Sequence, residues 1–203
     1  MKILYIESKL KNQELNLPSE ELAKLPKKLF LAYSLQYKDI AIKIKKLLET
    51  NDFTISQFRQ VLGCSKLKTK DPVFFMGSGR FHAINIFKQA DEVYILENNK
   101  ISKFPGSEIS LIKTKRKTAL LKFLSSENIG ILVSTKPGQE NLKKAEKLKT
   151  DLQKKGKNPY IFITNNIDIK EFENFNIGSW VNTACPGLSF DNPEIINIDE
   201  IPK

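Results

Sequence analysis

Apolar residues along this chain recur with two different periods, and the switching between them predicts an α/β protein. Apolar runs of strand length appear at Lys28-Leu29-Phe30-Leu31-Ala32-Tyr33, Pro72-Val73-Phe74-Phe75-Met76, Glu92-Val93-Tyr94-Ile95-Leu96, Gly130-Ile131-Leu132-Val133-Ser134-Thr135 and Pro159-Tyr160-Ile161-Phe162-Ile163. Runs that are apolar on both faces read as strands of a buried parallel sheet. Shorter stretches at residues 53–55 and 180–181 read as further strand segments, and Val61-Leu62-Gly63-Cys64-Ser65 as the connection that carries the first cysteine. Between the runs the period lengthens to that of a helix. Ile40, Ile44, Leu47 and Leu48 share one helix face, with Lys43, Lys45 and Lys46 mostly outside it. Leu142, Ala145, Leu148 and Leu152 do the same over a helix expected from Gln139 to Lys155, closed by Gly156. Residues 107–125 read as one long helix. Its apolar face carries Ile109, Ile112, Ala119, Leu120, Phe123 and Leu124, and its basic face Lys113, Lys115, Arg116, Lys117 and Lys122.

The order of elements repeats. Residues 28–64 run strand, loop, amphipathic helix, strand, connection, cysteine, and residues 129–185 run in the same order. A glutamine follows each opening strand, Gln36 and Gln139. The expected fold is α/β: two similar small parallel-sheet domains with right-handed crossovers. One domain is expected at residues 28–106. The other, with its linking helix, is expected at 107–203. Residues 1–27 stand apart. Residues 2–7 read as an orphan strand, which cannot bury its faces or pair its edges alone. Residues 8–27 are polar and irregular around Pro18 and Pro26. The segment fits an addition to a later sheet, or the remnant strand and linker of a missing first domain.

Composition narrows the class. With 203 residues, 40% hydrophobic and 28% charged, the chain is an ordinary globular protein. No apolar run is long enough to cross a bilayer, and Glu7 comes too soon after the start for a signal peptide. A cytoplasmic, reducing location is expected, where Cys64 and Cys185 would stay free rather than form a disulfide. The net charge is +10, and only Arg59, Arg80 and Arg116 among the basic residues are arginine. Readers of base sequence lean on arginine, so no sequence-specific nucleic-acid partner is expected. The lysine excess reads as solvated surface, with attraction to an acidic or ribosome-associated partner left open.

Candidate chemistry lies at strand ends. Trp180-Val181 closes a strand and Pro186-Gly187 stops it, so Cys185 sits where open α/β sheets place their sites. Cys64 ends the stretch from Val61 in a similar setting. Each is either a small buried hydrophobe or a thiolate ligand. Thiolates hold zinc or iron–sulfur clusters, and both usually take four ligands, so two thiols would need others from outside. His82 is the only histidine. A zinc site would therefore find at most three Cys or His ligands. A Cys-His or Ser-His-Asp mechanism would have to use His82, which reads better as packed at a helix end. No catalytic side chain is assigned. Ser134 to Gln139 joins a strand to a helix: Gly138 permits close backbone approach, and helix N–H groups could meet an anion. It lacks the ending of a phosphate-binding Walker loop. Gly77-Ser78-Gly79 has the same context. Both loops also fit ordinary βα turns.

Four stretches in order carry a resemblance: Val61-Leu62-Gly63-Cys64, Phe75-Met76-Gly77-Ser78-Gly79-Arg80-Phe81-His82, Gly130 through Gln139, and Val181-Asn182-Thr183-Ala184-Cys185-Pro186. Together they resemble the cluster-bearing subunit of diphthamide synthase, the 2-(3-amino-3-carboxypropyl)histidine synthase family. That family has three similar α/β domains, each giving one cysteine to a four-iron four-sulfur cluster. The resemblance implies that this chain holds the second and third domains, with Cys64 and Cys185 as cluster ligands. It implies that S-adenosylmethionine is the substrate, met by Gln139, Gly138 and Ser134 and by Gly77 and Gly79. The implied reaction transfers a 3-amino-3-carboxypropyl radical to a histidine of translation elongation factor 2. A separate chain would supply the first domain and third cysteine, in a homo- or hetero-oligomer. The basic face of helix 107–125 is one candidate for docking the factor, and a solvated surface is the other reading. The sequence departs from the family at Ser78, where an acidic residue is common, and at Gly187, where arginine is. A non-catalytic scaffold of the same complex and an unrelated anion- or nucleotide-binding module remain the rivals.

Overall fold

A computed structural model of the chain describes Ile6, residues 16–78, Ile84, Ile86 and residues 89–202. The expected strand at 2–7 lies outside the described residues except for Ile6, and Gly79, Arg80 and His82 lie outside them too. The chain divides into two compact units, Met1–Ile109 and Ser110–Lys203.

The first unit is built on β1 (Lys28–Tyr33), β2 (Thr54–Gln60), β3 (Val73–Met76), β4 (Val93–Glu97) and β5 (Lys100–Lys103), in sheet order β2-β1-β3-β4-β5. The first four are parallel. The β1 side chains alternate between two cores, as a strand period of two requires. Leu29, Leu31 and Tyr33 join Phe74 and Met76 on one face, under helix α2 (Lys38–Thr50) through Ile40, Ile44 and Leu48. Phe30 and Ala32 join Val61, Val73, Phe75 and Val93 on the other.

Three differences from the sequence reading have local causes. Strand β2 runs on to Gln60, beyond the expected 53–55, because it is a sheet edge. Its Ser56 to Gln60 half is mostly exposed and so carries no apolar signature. Strand β5, unexpected from sequence, folds back on β4 through Asn98 and Asn99, at φ 49° and 59°. Two successive positive φ values make a type I′ hairpin turn, which asparagine tolerates. Residues 16–27, expected as linker, pack on this unit. A one-turn helix α1 (Ser19–Leu22) buries Leu22, Leu25 is buried beside it, and Glu21 Oε2 accepts the Ile101 N–H at 2.6 Å.

The second unit has β6 (Asn128–Ser134), β7 (Asn158–Thr164), β8 (Ser179–Asn182) and β9 (Ile195–Asn197), all parallel, in order β7-β6-β8-β9. One core holds Ile129, Ile131, Val133, Val181 and Ile196. Over it lie Ala119 and Phe123 of helix α3 (Gly106–Ser125) and Ala145 and Leu152 of helix α4 (Leu142–Lys154). The other holds Leu132, Trp180 and Ile195. Leu124, expected on the buried face of α3, is 51% exposed, since only Ala119 and Phe123 of this helix are buried. Arg116 and Lys122, expected on the basic face, are paired. Arg116 bridges to Glu200 and donates to the Ser189 and Ile195 carbonyls at 2.8 and 2.9 Å, and Lys122 meets Glu194 at 2.9 Å. Helix α4 closes as expected: Gly156, at φ 75°, donates to the Gln153 carbonyl and Lys157 N–H to that of Leu152. That pair of bonds is a Schellman motif.

The repeat is present in the sheet order, since β2-β1-β3-β4 matches β7-β6-β8-β9. The cysteines are not its equivalents. Cys64 follows β2, whereas Cys185 follows β8, whose counterpart is β3. The place matching Cys185 in the first unit is the Gly77 loop. The strand at 180–181 stands between β7 and Cys185 and has no counterpart between β2 and Cys64, a difference that the shared element order passes over.

Candidate functional site

In a parallel sheet all strand ends of one kind lie along one edge, so the loops after them are neighbours. In the first unit, β1, β2 and β3 bring the segments after Tyr33, Gln60 and Met76 to that edge. The Val61 N–H donates to the Tyr33 carbonyl at 2.8 Å, and the Ser34 N–H to that of Met76 at 2.9 Å. Val61 is buried and anchors the start of the cysteine loop. The chain then turns through Leu62-Gly63-Cys64-Ser65. The Ser65 N–H donates to the Leu62 carbonyl at 2.9 Å, and the Leu62 N–H to Ser65 Oγ at 2.8 Å. The Gln89 carboxamide braces the exit: it donates to the Ser65 carbonyl at 3.0 Å and accepts the Leu67 N–H at 2.7 Å. Cys64 is thus an exposed free thiol on a braced turn, not a core hydrophobe.

Gly77 has a packing reason to be glycine. A Cβ there would lie 2.3 Å from Cζ of Phe75, which is buried. This contact by itself accounts for a glycine at the end of β3. Ser34 Oγ, at the end of β1, is buried with no hydrogen-bond partner. Sequence reasoning did not single out Ser34.

In the second unit the edge carries the segments after Ser134, Thr164 and Asn182. Lys136-Pro137-Gly138-Gln139 forms a turn closed by the Gln139 N–H on the Lys136 carbonyl at 3.0 Å, with Gly138 at φ 76°. Proline second and a positive-φ glycine third make a type II turn. Helix α4 begins three residues later than expected, at Leu142, so Gln139 precedes the helix and does not cap it. Ser134 is 2% exposed. Its hydroxyl donates to the Asn165 carbonyl at 3.3 Å and accepts the Lys136 N–H at 3.2 Å, so it shapes the turn from beneath. Gln139 is half-buried, and its carbonyl accepts from Asn141 Nδ2 at 3.3 Å. The same Nδ2 donates to the Thr183 carbonyl at 2.8 Å, which ties the Gln139 loop to the Cys185 loop.

Cys185 is a half-buried free thiol three residues past β8. Thr183 pins the loop start, with both N–H and Oγ1 donating to the Leu132 carbonyl at 3.1 and 2.8 Å. The Cys185 carbonyl accepts the Leu188 N–H at 3.1 Å and Asn182 Nδ2 at 2.8 Å. Sequence reasoning did not single out Asn141 or Asn197, and gave Asn182, inside the motif around Cys185, no role of its own. A polar residue closing an apolar strand was the available signal at Asn182.

The donor set decides what these loops can hold. Both thiols are free, Cys64 exposed and Cys185 half-buried, and soft sulfur donors of this kind suit iron–sulfur clusters or zinc as part of a ligand set. Among the described residues, no three of His, Cys, Asp and Glu gather into a metal-ligating group.

The 2-(3-amino-3-carboxypropyl)histidine synthase of Pyrococcus horikoshii is 25% identical over 184 residues, covering 85% of this chain and 54% of that protein. The protein of the same name from Methanocaldococcus jannaschii is 29% identical over 172 residues, covering 82% and 47%. The chain spans about half the length of these relatives. The crystal structure of Dph2 from Pyrococcus horikoshii with a 4Fe-4S cluster superposes with a TM-score of 0.78 at 24% identity, over 90% of this chain and 58% of that one. That likeness shows a shared fold. The diphthamide synthesis protein family model matches residues 1–195, nearly the whole length, and on that match the chain belongs to the diphthamide synthesis family.

Proposed function

We propose that this chain works as part of a 2-(3-amino-3-carboxypropyl)histidine synthase, the enzyme of the first step of diphthamide biosynthesis. In this reading Cys64 and Cys185 are ligands of a four-iron four-sulfur cluster. The observation that carries it is the state of the two cysteines: in a member of this family, both are free thiols on braced loops at strand carboxyl ends, Cys64 exposed and Cys185 half-buried. When bound, such a cluster supplies the electron that cleaves the sulfonium of S-adenosylmethionine. The chain's own residues hold and orient. The Ser65–Gln89 brace and the Asn182 carboxamide keep the two thiols on fixed turns. The Gln139 loop, tied through Asn141 to the Cys185 loop, receives the amino-acid part of the substrate. Gly77 and Ser134 support these loops from within, and Gly138 shapes the Gln139 turn.

Two thiols fall short of a cluster's ligand set, so the remaining ligand comes from outside residues 1–203, and a cysteine-bearing partner chain is one source. The acceptor of the aminocarboxypropyl group is a histidine of translation elongation factor 2. A reducing cytoplasm is the compartment in which these thiols stay ready. No helix among the described residues is long and apolar enough to cross a membrane.

The test is anaerobic reconstitution with ferrous iron and sulfide, alone and with proteins that co-purify from the native cell. A reduced sample with an electron paramagnetic resonance signal, and cleavage of S-adenosylmethionine with transfer to the elongation factor, is the expected result. A colourless preparation with every partner combination would sink the proposal.

A further inference from the structure

Cys185 is held by a buried carboxamide. Asn182 closes β8 at 1% exposure. Its Oδ1 accepts the Ala184 N–H at 2.9 Å, and its Nδ2 donates to the Cys185 carbonyl and to Asn197 Oδ1, both at 2.8 Å. Asn197, its register partner on β9, donates onward to Ser189 Oγ at 2.7 Å and to the Pro186 carbonyl at 3.3 Å. Ser189 Oγ also donates to that carbonyl at 3.0 Å. Asn197 is 7% exposed and Ser189 2%. Three polar side chains are therefore buried together where an apolar pair would pack without demands. A buried polar network is stabilising only when its members are satisfied, and these are. The bonds converge on the peptide groups before and after a single thiol: the Ala184 N–H, the Cys185 carbonyl and the Pro186 carbonyl.

We infer that Asn182 is the positioning residue for Cys185, holding the Ala184 N–H ahead of the thiol and the Cys185 carbonyl after it so that the loop presents the side chain in one orientation before iron binds. The inference rests on the reading of Cys185 as an iron ligand, and it assigns to this chain the outer support that ligands generally need.

The test uses the full chain in two arms. In the first, iron-free protein is alkylated with iodoacetamide and both cysteines are followed by peptide mass spectrometry, with Cys64 as internal reference. Asn182→Ala should speed Cys185 alkylation about tenfold, as loss of a buried hydrogen bond allows, and leave Cys64 unchanged. Asn182→Asp, which keeps the acceptor for Ala184 but loses both donors and sets a buried carboxylate against the Cys185 carbonyl, should speed Cys185 alkylation at least as much. Ser189→Ala should have a smaller effect, so the series stays readable if one variant fails to fold. Ile129→Val, which loosens the same unit on the other sheet face at the start of β6, should leave the Cys185 rate within about twofold. In the second arm, after anaerobic loading with ferrous iron and sulfide together with the co-purifying proteins, Asn182→Asp should shift the g values of the reduced signal. A wild-type Cys185 rate in Asn182→Ala, or an equal rise in Ile129→Val, overturns the positioning role. If wild-type protein takes up no iron, alone or with its co-purifying proteins, the ligand reading fails, and the first arm still decides whether Asn182 orders the loop.

Discussion

Trp180 lies against Gly130, its register partner across the β6–β8 ladder, and a Cβ on Gly130 would stand 2.2 Å from the indole. The indole thus occupies the space over a strand residue that has no side chain. Gly130→Ala should destabilise the second unit by about 1–3 kcal/mol through overpacking. Trp180 is the only tryptophan, so its fluorescence during urea unfolding reports the change directly. An unchanged midpoint would mean that the ring moves aside freely.

Gly77 and Phe75 form a similar pair in the first unit. Gly77→Ala should cost about 1–3 kcal/mol alone. Combined with Phe75→Leu, which removes the clashing ring, it should cost less than the two single changes together. Additive losses in a double-mutant cycle would mean that the Phe75 ring does not set the cost at Gly77.

Cys64 is exposed, so Cys64→Ala should change stability by no more than about 0.5 kcal/mol. Under the proposed function the same variant, and Cys185→Ala likewise, should lose iron and sulfide after anaerobic reconstitution. Metal and sulfide analysis on the partnered protein checks this. Full retention in either variant removes that cysteine from the ligand set.

Acid should loosen the first unit. Glu92 is held below the ordinary carboxylate range by Lys103, Glu21 by Lys24 and the Ile101 N–H, and Asp71 by Ser56 and Lys28. A lowered folded-state pKa adds stability that is present above the unfolded-state value and is lost as pH falls through the folded one. Melting temperature should therefore fall as pH drops through and below the carboxylate range. These groups lie at the surface, so salt should flatten the slope. Glu92→Gln should flatten it too, and a slope unaltered by either would leave these pairs without weight.

Lys157 Nζ donates to the carbonyls of Leu124 and Ser126 at 2.9 and 2.6 Å, with Phe123 at 3.4 Å, and so collects acceptors left over at the end of α3. Lys157→Met should cost about 1–2 kcal/mol. Lys157→Arg should recover part of the loss, because a guanidinium keeps several donors. Equal melting of Met and wild-type proteins would assign the cap to solvent.

Local periodicity was sufficient for much of the fold. The apolar runs at 28–33, 73–76 and 128–134 became strands because both their faces are buried, and such burial leaves an uninterrupted signature. The face of α4 was legible for the same reason, and the Gly156 stop was legible because only a residue tolerant of positive φ closes a helix that way. Elements on sheet edges escaped. The outer half of β2 and the hairpin strand β5 expose most of their side chains, so pairing rather than patterning makes them strands.

The candidate site divides along the same line. Composition and motif order marked Cys64, Cys185 and Gln139, because chemistry resides in residue type. Folding decided what surrounds them. Which strand each cysteine follows, the type II turn that sets Gln139 ahead of its helix, the Phe75 ring that claims Gly77, and the carboxamides of Asn182 and Asn197 beneath Cys185 all depend on segments distant in sequence being brought side by side. A pattern in one segment records which face is buried; it carries no record of which neighbour buries it.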